Sequence, residues 1–215
     1  MGIAGGIFTG LIVARRLAAP RSMPSSTAWR RRLAEKRGEA EAARLIARAQ
    51  TRYAALLDDR VRPARRALRI HQELAILPGL ALYQALLEDG ADSATALAEL
   101  DALMASTVAP LRTVMSILQE GPAPFALFRC LEPWVVRLGF PTEGWEMKPV
   151  QHDAECVAFD VHRCFYLDTL TGYGAPELTA IFCSPDDVVF SALAPSITWE
   201  RTMTLGRGHD HCDFR

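Results

Sequence analysis

The most constraining feature of this sequence is a long apolar stripe near the middle of the chain. Its members follow one another at steps of three or four residues: Leu97, Leu100, Met104, Val108, Leu111, Met115 and Leu118. That spacing is the period of an α-helix with one face against a core, so we predict a long amphipathic helix, kinked at Pro110. Such a helix needs a packed layer to cover its apolar face.

The segments on either side of the stripe also have helical composition. Residues 28–57 are rich in Ala, Arg and Leu and contain no Pro, which predicts one long helix. The runs "ARRALRIHQELAIL" and "GLALYQALLEDG" predict further helices, with Gly90 suited to a helix C-cap. Another helix is predicted for residues 125–138. The first 140 residues are therefore expected to be mostly helical.

The periodicity changes after residue 150. In "CVAFDVHRCF", one side of an extended chain carries Val157, Phe159, Val161 and Phe165, and the other carries Ala158, Asp160, His162 and Cys164. This period of two predicts a half-buried strand. The run "APELTAIFC" predicts a short helix. The run "SITWERTMT" alternates again, and after the turn at "GRG" the closing "HDHCDFR" is expected to pair with it as an antiparallel strand.

Helices followed by a small antiparallel sheet define an α+β fold. We expect a mostly helical N-terminal two-thirds packed on a small C-terminal antiparallel sheet. Residues 1–26 are predicted to form a flexible or partner-packed lead, and residues 27–60 a basic helix. Residues 61–215 are predicted to form a single α+β domain, with helices over 61–140 and a strand, helix, strand order over 150–215.

The charges of the chain are segregated. Residues 1–70 carry 16 Lys and Arg against 5 Asp and Glu, whereas residues 71–215 carry 8 against 20. The basic helix is expected to pack on the acidic body of its own chain or of a second copy, because few aromatic residues lie among the arginines to serve as nucleic-acid stacking platforms. A nucleic acid or an anionic membrane surface is the disfavoured partner. A non-catalytic binding module that uses this helix is the corresponding alternative function.

The five cysteines, an odd number, indicate a reducing compartment rather than a disulfide framework. The apolar start "IAGGIFTGLIVA" precedes Arg15 and Arg16, which inverts the charge order of a secretory signal. It is also shorter than the roughly 20 residues that cross a bilayer. We therefore predict a cytoplasmic protein with reduced thiols.

Three cysteines lie in polar surroundings within the α+β part. Cys164 closes the alternating strand, Cys183 opens "CSPD", and Cys212 lies in "HDHCDF". Structural cysteines prefer apolar surroundings, a description that fits Cys130 and Cys156 better, so these two are predicted to lie in the core.

The segments "RCFYLDTLTGYGAPELTAIFCSPDD" and "ITWERTMTLGRGHDHCDF" resemble the signature of the L-2-amino-thiazoline-4-carboxylate hydrolase family. The matching residues are Cys164, Glu177, Cys183, Asp186, Arg201, Gly206, Cys212, Asp213 and Phe214. The resemblance covers about the last 60 residues tightly. It implies a small-molecule hydrolase that opens a cyclic amidine at a C–N or C–S bond, as in conversion of the thiazoline ring to a carbamoyl-cysteine.

Opening such a ring requires a nucleophile, a proton shuttle and a group that binds the carboxylate of the substrate. We expect Cys164, Cys183 and Cys212 to supply the thiol chemistry, since thiols are strong nucleophiles near neutral pH. Asp186 is the expected general base, with Glu177 as the alternative. Arg201 is expected to bind the substrate carboxylate, because its planar fork matches that group. Glu177 and Asp213 complete the predicted substrate-binding set.

A metal site is the alternative chemistry. Cys164, Cys183, Cys212 and His211 would make a tetrahedral set for zinc or another divalent metal. The cysteines are separated by 19 and 29 residues, unlike the close pairs of zinc motifs. We therefore expect no cofactor, and we leave the metal-containing protein open as the alternative.

Overall fold

A computed structural model describes residues 22–215 of the chain and has the predicted α+β architecture. The lead predicted for residues 1–26 falls almost wholly outside the described residues. The helices in chain order are α1 (Ser26–Arg37), α2 (Glu39–Asp59), α3 (Arg66–His71), α4 (Leu77–Glu88), α5 (Ser93–Leu118), α6 (Pro124–Gly139), α7 (Phe165–Gly172) and α8 (Leu178–Phe190). The strands are β1 (Trp145–His152), β2 (Val157–Cys164) and β3 (Cys212–Phe214). A π-helical turn, Gln72–Ile76, joins α3 to α4.

The basic segment forms two helices rather than the single one predicted. Gly38 separates α1 from α2 and has a φ of 83°, a backbone conformation that side chains other than glycine rarely adopt. The arginines of these helices pair with acids of the same chain. Arg37 donates to Glu99 of α5, and Arg44 and Arg48 both donate to Asp89 after α4. The structure therefore shows the basic helices packed on the acidic body of their own chain.

The central part of the apolar stripe lies in the core as predicted, whereas Leu97 and Met115 are half-buried and Leu118 is exposed. Leu100, Met104, Val108 and Leu111 are buried on one face of α5, which continues through Pro110 to Leu118. α5 packs against α8, and α4 is buried along almost its whole length between its neighbours. Within residues 22–215, no helix is long and apolar enough to cross a membrane.

The sheet is antiparallel, with β2 in the centre between β1 and β3. The alternating pattern predicts β2 correctly. β1 was missed because seven of its eight residues are not buried and show no alternating burial. The strand predicted at 196–204 is an irregular segment, yet it runs beside the C-terminus as expected: Glu200 and Arg215 exchange two backbone hydrogen bonds, and Asp213 N–H donates to the Met203 carbonyl.

Gly206 offers a test of how tightly the C-terminal segment packs on α8. A Cβ at this position would lie 2.8 Å from the backbone nitrogen of Ala180 and 3.0 Å from the carbonyl carbon of Thr179. Gly206→Ala is therefore expected to lower the free energy of unfolding by about 1–3 kcal/mol, as overpacking does. The measurement is chemical denaturation.

Gly172→Ala is the matched control, because a Cβ there meets no atom within 4 Å. It should leave stability unchanged or slightly raised. Equal stability of the two variants would show that the segment does not pack on α8 as the structure has it.

Candidate functional site

A small cavity of about 40 Å³ lies where β2, β3 and α8 meet. Its polar lining comprises the thiols Cys164, Cys183 and Cys212, the carboxyl of Asp186, the guanidinium of Arg201, Tyr166 and Thr179. Its remaining wall is apolar and consists of Phe140, Trp145, Met147, Phe159, Val161, Phe182 and Phe214. The volume has room for a few water molecules or a compact ligand. Five of the seven predicted active-site and substrate-binding residues thus meet at one place.

Three polar side chains of α8 reach this cavity because their spacing places them on the same face of the helix. Cys183 follows Thr179 by four residues and Asp186 follows it by seven, a spacing that places all three on one face of a helix. Thr179 escaped prediction from sequence, although this spacing relative to Cys183 and Asp186 would have located it.

A β-bulge brings Cys164 to the cavity. Arg163 pairs with Glu146 and Val161 pairs with Met147, so His162 is an extra residue in β2. Strict alternation would have placed Cys164 on the face of Asp160 and His162. The bulge reverses that parity, as bulges re-aim side chains, and Cys164 lines the cavity together with Val161.

Alternation within β3 decides which of its residues reach the cavity. Cys212 and Phe214 line it, whereas Asp213, between them, faces the other side of the sheet. The Leu205 backbone N–H donates a hydrogen bond to the Cys212 sulfur across 3.2 Å.

Arg201 forms a buried ion pair with Asp186 on the cavity wall. Its Nη1 lies 3.1 Å from Asp186 Oδ2, and the two side chains are only 2% and 1% exposed. Its Nη2 donates to the Cys183 carbonyl at 3.0 Å and to Asp187 Oδ1 at 2.8 Å. The expected carboxylate-binding arginine is therefore largely committed to partners within the protein.

Two buried polar atoms at the cavity have no hydrogen-bond partner among the described residues: Asp186 Oδ1 and Thr179 Oγ1. Burial raises the pKa of Asp186, and the opposing attraction of Arg201 does not cancel this effect. Buried polar groups are normally paired, so these two atoms are available at the cavity wall to a water molecule or to a polar ligand.

Burial also keeps the three thiols protonated near neutral pH. It raises the pKa of Cys183 to about 12 and that of Cys212 to about 11, and it raises the pKa of Cys164 as well. Cys164 immediately precedes α7, where the backbone N–H groups of Leu167 and Tyr166 oppose this rise by favouring the thiolate.

Two predicted substrate-binding residues lie apart from the cavity, and the prediction of two core cysteines is wrong. Glu177 is exposed and accepts a hydrogen bond from Tyr83, and Asp213 accepts hydrogen bonds from Thr202 and Met203, so neither lines the cavity. Cys130 is exposed and Cys156 half-buried, so neither lies in the core, because α6 and the turn before β2 are at the surface.

The structure does not bring His211 together with Cys164, Cys183 and Cys212, the four residues of the alternative metal site. His211 lies outside the cavity, stacks on His162 and hydrogen-bonds Asp210. Among residues 22–215, no three His, Cys, Asp or Glu side chains are placed to hold a metal ion.

A larger open groove of about 900 Å³ adjoins the cavity. It runs between α6 and the first two strands, and Phe140, Trp145, Met147 and Phe159 line both spaces.

The fold and site together define an α+β protein with a small, cysteine-lined cavity suited to a compact ligand. The family model for L-2-amino-thiazoline-4-carboxylic acid hydrolase matches residues 22–215, nearly the whole chain. The chain belongs to this family, which is named for a hydrolase. No curated protein and no solved structure matches it.

The contribution of Asp213 to the stability of the C-terminal segment can be tested by substitution. Although burial works against the charged form, hydrogen bonds from Thr202 and Met203 hold the pKa of Asp213 below its ordinary value. Asp213→Ala is expected to lower the free energy of unfolding by about 1–3 kcal/mol at neutral pH, because backbone N–H groups lose their acceptor. The wild-type advantage should be complete above the ordinary Asp pKa and should shrink as pH falls from there through the lowered pKa of Asp213. Denaturation at several pH values measures both effects.

Glu177→Ala is the control for Asp213→Ala. Glu177 is exposed, and its loss should cost less than about 1 kcal/mol. If both variants are equally stable, Asp213 does not hold the C-terminal segment.

The raised thiol pKa values predict slow alkylation inside the cavity. Iodoacetamide at pH 7 should label the exposed Cys130 first. The labelling rates of Cys183 and Cys212 should rise about tenfold per pH unit from pH 7 towards pH 10, because the thiolate fraction grows in that proportion below the pKa. Peptide mapping by mass spectrometry gives each rate. A plateau near pH 8 at either cavity cysteine would contradict the burial argument.

Proposed function

We propose that this protein hydrolyses a small cyclic amidine that carries a carboxylate, of the 2-amino-thiazoline-4-carboxylate type, inside the three-thiol cavity. The observation that carries the proposal is the convergence of Cys164, Cys183, Cys212 and Asp186 on one cavity. Family membership supports the same class of substrate.

The unpaired oxygen of Asp186 supports an amidine as the ligand. A cyclic amidine presents N–H donors on the carbon that must be attacked, and a buried carboxylate oxygen without a partner is their natural acceptor. Arg201 fixes the other oxygen of Asp186 and thereby the orientation of the carboxyl. A guanidinium has five N–H donors, so Arg201 keeps donors for a substrate carboxylate beyond its bonds to Asp186, Cys183 and Asp187.

Cys164 is the proposed nucleophile. Burial raises the pKa of Cys164 as it does that of Cys183, to about 12 there, but at Cys164 two backbone N–H groups at the N-terminal end of α7 oppose the rise by favouring the thiolate. A protonated amidine bound at Asp186 would add a positive charge close to the thiols and so lower their raised pKa values.

The proposed chemistry conserves atoms with water as the only co-reactant. The Cys164 sulfur adds to the amidine carbon while its proton passes to Asp186, whose raised pKa suits it to hold a proton. The tetrahedral adduct breaks its bond to a ring heteroatom, which takes the proton from Asp186. Water then attacks the thiol-bound carbon, the bond to Cys164 breaks, and the thiol regains a proton. The product is a carbamoyl-cysteine.

The activity of the purified protein tests this proposal. Incubation with 2-amino-thiazoline-4-carboxylate should yield a carbamoyl-cysteine, detected by mass spectrometry. Cys164→Ser should reduce kcat by roughly a thousandfold or more, the scale of losing a nucleophile. Asp186→Asn should reduce it by about a hundredfold or more, the scale of losing a general base.

Cys130→Ser is the control, because Cys130 is an exposed thiol outside the cavity. It should retain wild-type kcat. Circular dichroism of each variant verifies folding. If a folded Cys164→Ser variant turns over the substrate at the wild-type rate, the proposed nucleophile is wrong; absence of product from the wild-type protein contradicts the proposed substrate.

A further inference from the structure

His71, the last residue of α3, lies behind the cavity wall and is buried, with 3% of its surface exposed. Its Nε2 lies 2.8 Å from the Gly139 carbonyl oxygen, and its Nδ1 lies 2.8 Å from the hydroxyl of Tyr166. The rings of Phe140, Trp145 and Tyr166 surround it, with centroids 4.9–5.6 Å away.

The two hydrogen bonds fix the tautomer of His71. A carbonyl oxygen can only accept, so Nε2 must carry the proton that it donates to Gly139. Burial lowers the pKa of His71 to about 4, so the ring is neutral near physiological pH and Nδ1 carries no proton. Nδ1 is therefore an acceptor, and the Tyr166 hydroxyl must donate to it.

The hydrogen bond that the Tyr166 hydroxyl donates to His71 decides how Tyr166 can bind a ligand. Tyr166 lines the cavity beside Cys164, Cys183 and Asp186. Burial raises its pKa well above the ordinary value, and these acidic neighbours add to the rise, so the hydroxyl keeps its proton. With its one proton held by His71, the hydroxyl oxygen presents lone pairs alone. Together with Asp186 Oδ1, it gives the cavity two acceptors.

We infer that His71 is a positioning residue that makes Tyr166 a hydrogen-bond acceptor, and that this sets the selectivity of the cavity for N–H-donating amidines over ring carbonyl analogues. The inference rests on the proposed function and deepens it. A ring with an exocyclic amino group satisfies both Tyr166 and Asp186. A ring with an exocyclic oxygen places an acceptor against these two acceptors and must turn to the donors of Thr179 and Arg201 instead.

Binding measurements test the inference without turnover. The probes are 2-amino-thiazoline-4-carboxylate and 2-oxothiazolidine-4-carboxylate, titrated by calorimetry into full-length protein carrying Cys164→Ser. The amidine should bind more tightly. Tyr166→Phe should weaken amidine binding about tenfold, the scale of one hydrogen bond, and leave binding of the oxo compound unchanged or improved.

His71→Phe should shift the selectivity in the same direction, because the freed Tyr166 proton can then be donated to the oxo compound. Tyr53→Phe is the matched control: Tyr53 is also buried, and its hydroxyl donates to the Glu73 carbonyl at 2.8 Å, outside the cavity. It should leave the ratio of the two dissociation constants unchanged. Folding of every variant is verified by thermal denaturation.

The outcomes separate the inference from the proposed function. If the amidine binds and Tyr166→Phe leaves the ratio unchanged, the inference alone is overturned. If the amidine does not bind, the proposed function falls and the inference with it. Nitrogen-15 NMR of histidine-labelled protein gives a ligand-free readout: His71 should stay neutral and protonated at Nε2 between pH 5 and 8, and a proton on Nδ1 would overturn the inference.

Discussion

The buried ion pair between Arg201 and Asp186 is the interaction on which the site depends. It joins α8 to the segment before β3, and both side chains are almost fully removed from solvent. Removing one member of such a pair leaves an uncompensated buried charge, which typically costs about 3–5 kcal/mol. The same pair leaves one oxygen of Asp186 free at the cavity, so the contact that holds the segment in place also presents a polar atom to a ligand.

The largely apolar wall of the cavity gives its chemistry a particular character. Apolar and aromatic side chains form most of the wall, and burial keeps the thiols protonated and raises the pKa of Asp186. An enzyme with such a resting state needs the substrate to help activate the nucleophile. A cationic amidine does this, since its charge favours both the carboxylate and the thiolate beside it. The ring of 2-oxothiazolidine-4-carboxylate carries no positive charge and would not activate the thiol in this way. This agrees with the selectivity that His71 and Tyr166 are inferred to impose.

Much of the fold could be predicted from sequence because its signals are periodic. The stripe on α5 and the alternation in β2 follow from spacing alone, and the run that opens the helix carrying Cys183 has helical composition. The cavity residues on different elements could not be joined by periodicity, and their grouping depended on the family resemblance. Cys164 shows the limit: strict alternation places it with Asp160 and His162, and only the bulge at His162, which side-chain patterning does not reveal, brings it to the cavity. For Asp213, in contrast, alternation alone gives the right answer: it is next to Cys212 in β3 and therefore lies on the opposite face of the sheet from the cavity.

The central claim is that a small cyclic amidine is held among the three thiols with its N–H groups on Asp186. A crystal structure of the Cys164→Ser protein soaked with 2-amino-thiazoline-4-carboxylate measures this most directly. The account predicts the ring inside the cavity, with an amidine nitrogen within hydrogen-bond distance of Asp186 Oδ1 and the amidine carbon facing residue 164. A ring bound only in the outer groove beside α6, or with its amidine turned away from Asp186, would contradict it.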